Sequence, residues 1–464
     1  MSTGLICVHV MDSRISISHT GHAEYHRVAI DPVKFAPKSS SVRAAASVCL
    51  LSFIILIAAH SMLLIGITTP EKFVFDEVHY VPAARQLLES APKRPILNPM
   101  HPPLGKEIMA LSIRTLGDNS LAWRYPGVVF GALSVVAVYL CALAVFARHG
   151  PAVAAAIIAF FNQMLFVMAR TAMLDIFALG FGLFGIAAFL HGFGKERPHG
   201  LFAMAGASFG CAAACKWSGL FPLGVCIVIV ATIRLMQRWR TQFADARATD
   251  WYRPGLWPNF RSYHFAACFA LAPALIYLAS FVAFEGFSIS AIIEAQRRIF
   301  ADNTTTAIAE HTYQSAWPSW PLLVRPVWFL FDKVGDDTIQ AVVFLGNPLV
   351  LWPALFALAL ALRDLIVARR RDAFLVLAFY FGPYLAWALL PRTLGFLYYY
   401  LPAATFASLA LVYALRRGNA PRILLWAYVA VAAAGFAVML PISAAFIGTS
   451  IKTFNRLMIF QNWI

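Results

Sequence analysis

Two acidic residues in tandem, Asp76 and Glu77, stand just past the first long apolar run. The same hydrophilic stretch goes on to His101-Pro102-Pro103-Leu104-Gly105-Lys106. Carboxylates, an imidazole and an amine gathered at the mouth of apolar segments are costly to keep there. The chemistry they suit is work on a charged substrate held by a membrane, with a carboxylate to accept a proton and cations to receive an anionic group. A tandem pair ahead of Val78-His79-Tyr80 also suits a helix cap or a solvated turn. Asp175, at the start of a later apolar run after Arg170-Thr171-Ala172-Met173-Leu174, returns a further carboxylate to the same side. Convergent acids favour a site over a cap.

Five cations, Lys106, Arg124, Arg170, Lys216 and Arg392, lie near ends of apolar runs on that side and outside the basic loop clusters. A phosphate at the bilayer surface would explain the set, since Arg offers a bidentate fork and Lys a point charge. Snorkelling toward lipid headgroups is the competing explanation for each one alone. His101 precedes Pro-Pro, where the helical backbone is disfavoured, so a rigid turn fixes it in space. His311, Tyr313 and Trp317 form an aromatic and polar patch later in the chain, which suits an acceptor-binding surface or an interfacial anchor. Asn303-Thr304-Thr305 fits the N-glycosylation pattern, a short motif with no role attached. There is no Gly-rich phosphate loop, HExxH, nucleophile elbow or metal-ligand cluster, so NTP hydrolysis, zinc proteolysis and serine hydrolysis lack support.

The elements that must hold these residues follow from composition. The chain has 464 residues, 60% hydrophobic and 13% charged, with mean hydropathy +0.70. Soluble domains carry roughly a quarter charged residues, so this is a polytopic membrane protein. Its net charge of +15 sits in short loops, which indicates topology and anionic lipid rather than nucleic acid. Of seven cysteines, all but Cys7 lie in or beside apolar runs and behave as packing residues. Eleven spans are expected, at 44–68, 124–147, 152–168, 175–193, 200–215, 217–235, 264–285, 339–362, 373–390, 395–415 and 422–447. Residues 1–42 are expected to form a cytoplasmic tail, with the first span as targeting signal and no cleavable peptide before it.

Residues 43–464 then make one multi-span domain. Basic connections at 148–149, 195–197, 234–261, 363–371 and 416–422 fall on one side when the spans alternate. The positive-inside rule makes that side cytoplasmic, with the N-terminus inside and the C-terminus outside. Loops 69–123 and 286–338 fall outside. Val81–Glu89 and Leu104–Leu116 in the first have the spacing of helices lying in the interface plane.

Phe75-Asp76-Glu77-Val78-His79-Tyr80 and His101-Pro102-Pro103-Leu104-Gly105-Lys106 together resemble the protein O-mannosyltransferases, integral enzymes of the GT-C glycosyltransferase fold. The likeness continues through 169–175, Lys216-Trp217-Ser218-Gly219-Leu220-Phe221, 311–315, Leu345-Gly346-Asn347-Pro348 and 391–402. It implies an all-α membrane fold, a polyprenyl or dolichyl phosphate mannose donor, Ser or Thr hydroxyls of exported proteins as acceptors, and inversion on the extracytoplasmic face. Asp76 matches the family's catalytic acid and is expected to act as base, with Glu77 orienting the acceptor or Asp76. Arg124, in Trp123-Arg124-Tyr125-Pro126, is expected to support the first loop or the phosphate, and Arg392 is a second phosphate candidate. No bound cofactor is implied. A divalent metal is not required, because the phosphate leaves as a stabilised anion.

Loop 286–338 is too short for the β-trefoil (MIR) domain of eukaryotic members, so a bacterial inner-membrane enzyme is expected. Tyr399 stands in the substrate-binding stretch where many members carry histidine, so that histidine's role does not transfer. Lipid-directed GT-C enzymes such as aminoarabinose transferases share the acidic pair, but they resemble Lys-Pro-Pro-Leu where this chain has His-Pro-Pro-Leu. A transporter would need charges or broken helices near the midplane. The topology has a direct check. Cysteine labelling from outside is expected to reach a position beside Asp118 and not one beside Arg370, and the reverse pattern would overturn the orientation.

Overall fold

A computed structural model describes residues 38–89, 96–240, 257, 259–304, 311–390, 394–418 and 420–464. The chain divides into two units, residues 1–50 and 51–464. In the first, the Ser47 hydroxyl donates to the Arg43 carbonyl of its own helix. Arg392, one of the expected phosphate ligands, lies outside the described residues.

The helices run α1 (Lys38–Leu64), α2 (Glu77–Gln86), α3 (Leu104–Leu116), α4 (Ser120–Phe146), α5 (His149–Phe160), α6 (Met164–Ala169), α7 (Leu174–Phe193), α8 (His199–Cys215) and α9 (Leu220–Arg240). After them come α10 (Ser262–Ala266), α11 (Ala272–Ala279), α12 (Val282–Glu285), α13 (Ile289–Thr304), α14 (Pro348–Ala368), α15 (Arg371–Leu389), α16 (Leu401–Leu415), α17 (Arg422–Met439) and α18 (Ile451–Leu457). Among the described residues nine helical stretches are long and apolar enough to cross a membrane, and α5 and α8 are shorter apolar helices. At 1.5 Å per residue, the 27 residues of α4 exceed the bilayer's apolar thickness, so α4 has length to tilt. Its start follows local rules: the Asn119 side chain accepts from the Ala122 amide at 3.0 Å.

Four expected spans differ in detail. The run 152–168 is split, because α5 stops at Phe160, Gln163 takes φ +66°, and α6 restarts at Met164. Irregular backbone is tolerated inside a bundle only when its polar groups find partners. Here Gln163 donates to the Val343 carbonyl (2.6 Å) and the Ser443 hydroxyl (2.7 Å). It accepts from the Leu345 and Gly346 amides. The Asn347 side-chain amide adds bonds to the carbonyls of Phe161 and Ala432. One polar knot therefore ties the α5–α6 break to the start of α14 and to α17.

The run expected as a span over 339–362 begins as a strand. β1 (Val327–Lys333) and β2 (Thr338–Phe344) form an antiparallel hairpin, and β2 also pairs with β3 (Thr449–Ser450). The mostly helical fold thus carries a small three-stranded sheet. Ala341 to Leu345 are all buried, so hydropathy alone fused strand and helix. The boundary was nonetheless written in Asn347-Pro348: the Asn347 side chain caps α14 by accepting from the Leu349 amide at 3.0 Å, and Pro sits at the first helical position. The run 422–447 ends early, α17 stopping at Met439 before a short turn of 3-10 helix, Leu440–Ile442. Within 264–285, a π turn at Ala267–Leu271 precedes Pro273, whose missing N–H breaks the helical ladder. A Cβ on Gly206 of α8 would collide with the Cys268 carbonyl in that turn. Gly206 and Gly210, four apart, let the two segments approach as small-residue pairs do in membranes.

The two helices expected in the first loop are present as α2 and α3. α3 matches the expected Leu104–Leu116, and α2 starts four residues earlier than the apolar spacing indicated because Asp76 is its N-cap residue.

Candidate active site

The site is built where the C-terminal end of α1, the N-terminal ends of α2, α7 and α16, and the C-terminal end of α8 face one another. Asp76 sits at the N-cap of α2, half-buried, and the Tyr80 hydroxyl one turn on donates to Asp76 Oδ2 at 3.3 Å. Spacing of four residues puts both on one helix face. Burial raises the Asp76 pKa above the ordinary carboxylate value; Lys216 opposes this, and Asp175 adds to it. A carboxylate made more basic is a better proton acceptor near neutrality.

Lys216, in the break after α8, holds Asp175 symmetrically at 2.8 Å to both oxygens. Its ammonium also lies 5.2 Å from the ring centres of Tyr398 and Tyr399. Tyr399 stacks on Trp387 at 4.3 Å with an interplanar angle of 4°. From Asp175, Tyr398 and Tyr399 an apolar groove runs between α7, α15 and α16 along Leu179, Leu183, Ile186 and Phe406. The groove is polar at its head and apolar along its walls, with about 30 Å³ of open space.

Glu77 occupies a different position from the one expected of a residue that orients an acceptor. Its side chain has no exposed surface and Arg124 has 2%. Arg124 donates from Nε to Oε1 and from Nη2 to Oε2, both at 2.9 Å. Glu77 accepts also from the Val74 amide (2.8 Å) and from the Ala172 amide (2.9 Å) just before α7. Every oxygen is used, so no acceptor can reach it. Arg124 spends its remaining donors on the carbonyls of Ile67, Pro70 and Lys72. It supports the first loop and is not free for a phosphate. Arg170, also expected at the phosphate, is buried and donates to the carbonyls of Leu63 in the last turn of α1 and of Ile65 just past it. Its guanidinium lies between the rings of Phe166 and Phe446, 5.0 Å from each.

Lys106 is likewise turned inward, donating to the carbonyls of Asn98 (2.9 Å) and His101 (2.8 Å). Burial lowers its pKa to about 7. The neighbouring Glu107 is raised to about 7, also by burial. Lys106 thereby clamps the Pro-rich turn, which leaves the His101 ring 6.0 Å from that of Tyr80. In the second loop, His311 lies 5.1 Å from Phe396 and 5.6 Å from Tyr313. Trp317 packs edge-on to Tyr384, and the Ser315 amide donates to the Gly395 carbonyl. This patch adjoins the segment leading to Tyr399.

Sequence reasoning missed the contribution of the hairpin. Phe75, at φ +50°, stacks on Phe329 of β1 at 4.3 Å and 6°, and Lys72 pairs with Asp332 at 2.7 Å. The strand thus fixes the residue before Asp76, a contact no local pattern announces. Tyr80 could have been found from its four-residue spacing. Among the described residues no group of three or more His, Cys, Asp or Glu side chains is placed to hold a metal ion.

Residues 114–288 match the family model for dolichyl-phosphate-mannose-protein mannosyltransferase, and residues 288–463 match the C-terminal four-transmembrane region of protein-O-mannosyltransferase. Residues 69–113 of the first loop, with Asp76 and Glu77, precede both. A polyprenol-phosphate-mannose--protein mannosyltransferase of Mycolicibacterium smegmatis is 28% identical over 394 residues, 70% of this chain and 73% of its own length. Its counterpart in Mycobacterium tuberculosis is 28% identical over 389 residues, 72% and 73%. Among solved structures, the S. cerevisiae protein O-mannosyltransferase Pmt1-Pmt2 complex bound to the sugar donor superposes with TM-score 0.73 at 14% identity, covering 90% of this chain and 93% of that one. ArnT from Cupriavidus metallidurans bound to undecaprenyl phosphate gives 0.52 at 15%, covering 87% and 71%. The fold is that of the GT-C membrane glycosyltransferases. Within that class, the chain belongs to the protein O-mannosyltransferase family.

The two acids are expected to respond differently to substitution. Glu77→Ala leaves Arg124 as an uncompensated buried charge, a loss of about 3–5 kcal/mol. Thermal unfolding of the detergent-solubilised protein is expected to shift sharply downward for Glu77→Ala and little for Asp76→Ala. Equal shifts would refute the division of labour.

Proposed function

We propose that this protein transfers mannose from polyprenyl phosphate mannose to Ser or Thr hydroxyls of exported proteins as they leave the translocon, with inversion, on the extracytoplasmic face of a bacterial inner membrane. The observation that carries the reading is Asp76, a carboxylate made more basic by burial and facing the Lys216–Asp175 pair, whose Asp175 heads the groove together with Tyr398 and Tyr399. The acceptor oxygen attacks the anomeric carbon, its proton passes to Asp76, and the carbon–oxygen bond to the phosphate breaks. Polyprenyl phosphate departs with the electron pair. Lys216 and Arg392 receive its charge, while preorganised cations in a water-poor site supply the stabilisation. Glu77 positions Asp76 through Arg124 and the start of α7. Lys106 positions His101 and its turn, and His311, Tyr313 and Trp317 line the approach of the acceptor peptide.

The family models and the named relatives in mycobacteria support a protein acceptor and a polyprenyl carrier. The likeness to ArnT is one of fold.

Asp76→Ala protein in membranes is expected to bind donor lipid yet lose transfer to a Ser/Thr peptide by on the order of 10²-fold or more; near-normal transfer would sink the assignment. Because only the ionised carboxylate accepts a proton and burial raises its pKa, wild-type transfer should fall as pH drops through that raised value. A rate unchanged throughout the acidic range would contradict it. Intact-protein mass spectrometry of exported proteins, with and without the gene, should lose hexose from Ser/Thr peptides, whereas a change confined to lipid A would favour the lipid-directed reading.

A further inference from the structure

At the helix ends opposite the candidate active site, three arginines converge, and among the described residues none of them is bonded to a carboxylate. Arg148 caps the start of α5, Arg416 follows α16, and Arg422 opens α17. All three line one cavity of about 560 Å³, walled on its apolar side by Pro151, Leu425 and Trp426. The acids nearby are already committed. Asp364 is held by Arg417 at 2.8 and 2.9 Å and by the Tyr413 hydroxyl at 2.8 Å. Asp372 is held by Arg370 at 2.6 Å. Among the described residues no carboxylate pairs with Arg148, Arg416 or Arg422. Arg416 instead lies 5.0 Å from the Phe146 ring. Its pKa is lowered first by burial and then by Arg148, with Asp372 opposing, so the two guanidiniums repel across the cavity.

Repulsion between cations held in a shared concavity is relieved by an anion, and planar guanidiniums match phosphate oxygens in pairs. The cavity opens where spans α4, α16 and α17 end, at the depth of lipid headgroups. Trp426 is 42% exposed and the adjoining Ile423 and Leu424 are 70% and 50% exposed, an apolar flank suited to acyl chains. Basic pockets between helix ends bind anionic headgroups in just this setting.

We infer that Arg148, Arg416 and Arg422 form a binding site for the phosphodiester headgroup of an anionic membrane phospholipid, separate from the donor groove and on the opposite side of the bundle. Scattered surface arginines would attract such lipids only diffusely. This cavity gives them a fixed seat that buttresses the α4–α5 and α16–α17 connections.

The test uses the full-length protein in neutral detergent, titrated with phosphatidylglycerol, phosphatidylcholine or inorganic phosphate and read by native mass spectrometry and unfolding temperature. Phosphatidylglycerol is expected to form a saturable adduct that raises the unfolding temperature, with phosphatidylcholine forming none. Arg148→Gln combined with Arg422→Gln, both exposed positions, should weaken that adduct by on the order of 20-fold, with unchanged unfolding in the absence of lipid. Arg297→Gln combined with Arg456→Gln removes the same charge elsewhere and should leave it intact. Undiminished binding by the first variant, or an equal loss in the second, would overturn the site. Displacement of the lipid by equimolar inorganic phosphate would overturn the lipid as its occupant.

Discussion

The buried pair between Glu77 and Arg124 is the interaction on which the rest of the site depends. A carboxylate and a guanidinium removed from water are tolerated only when their hydrogen-bonding capacity is met. Glu77 meets it with two bonds from Arg124 and two from backbone amides at Val74 and Ala172. Arg124 adds three loop carbonyls. Three segments distant in sequence, the exit of α1, the top of α4 and the approach to α7, are thereby fastened at one point. Asp76, one residue away, inherits its position from that point and needs no partner of its own beyond Tyr80.

Arg170 and Lys106 extend the same principle. Each is a cation whose donors go to the carbonyls of irregular backbone, at the end of α1 and in the turn before α3 respectively. Loops at the mouth of a membrane bundle cannot rely on water to satisfy every carbonyl, and long basic side chains fold back to do so. Gln163 and Asn347 do the equivalent work deeper in the bundle, where they permit the break between α5 and α6. The consequence for catalysis is economy of free charge. Of the cations gathered at this end, Lys216 alone among those described stands beside Asp175, the paired tyrosines and the groove.

A rigid, desolvated surround and one basic carboxylate suit an inverting transfer, in which little covalent chemistry falls to the protein and most of the barrier is lowered by placement and electrostatics. The aromatic stack from Phe75 through Phe329 joins that frame to the hairpin. The second loop and the first loop are therefore one mechanical unit around the reacting atoms. At the far side of the bundle the arginines of the α4–α5 and α16–α17 connections face a cavity of their own, consistent with a protein whose two ends meet two different lipid environments.

The sequence by itself determined that this is a multi-span membrane protein, which end of it gathers acids and cations, and, through the order of its motifs, its family. Those properties depend on hydropathy and on local residue identity, which a linear reading preserves. α3 was legible to the residue, because its signal is local; the equally local Asn347-Pro348 cap of α14 was overridden by the apolar run expected as one span over 339–362. Tertiary structure decided which charges are free. Arg124 and Arg170 look like phosphate ligands on paper, since a basic residue at a span end has the same composition whether it faces a substrate or a carbonyl. The hairpin was hidden because a fully buried strand and a membrane helix are equally apolar, and the break at Gln163 because its partners are about 180 and 280 residues away in the chain. Only chain closure brings those partners together, and with them the separate positions of Asp76 facing the Lys216–Asp175 pair and Glu77 within the frame.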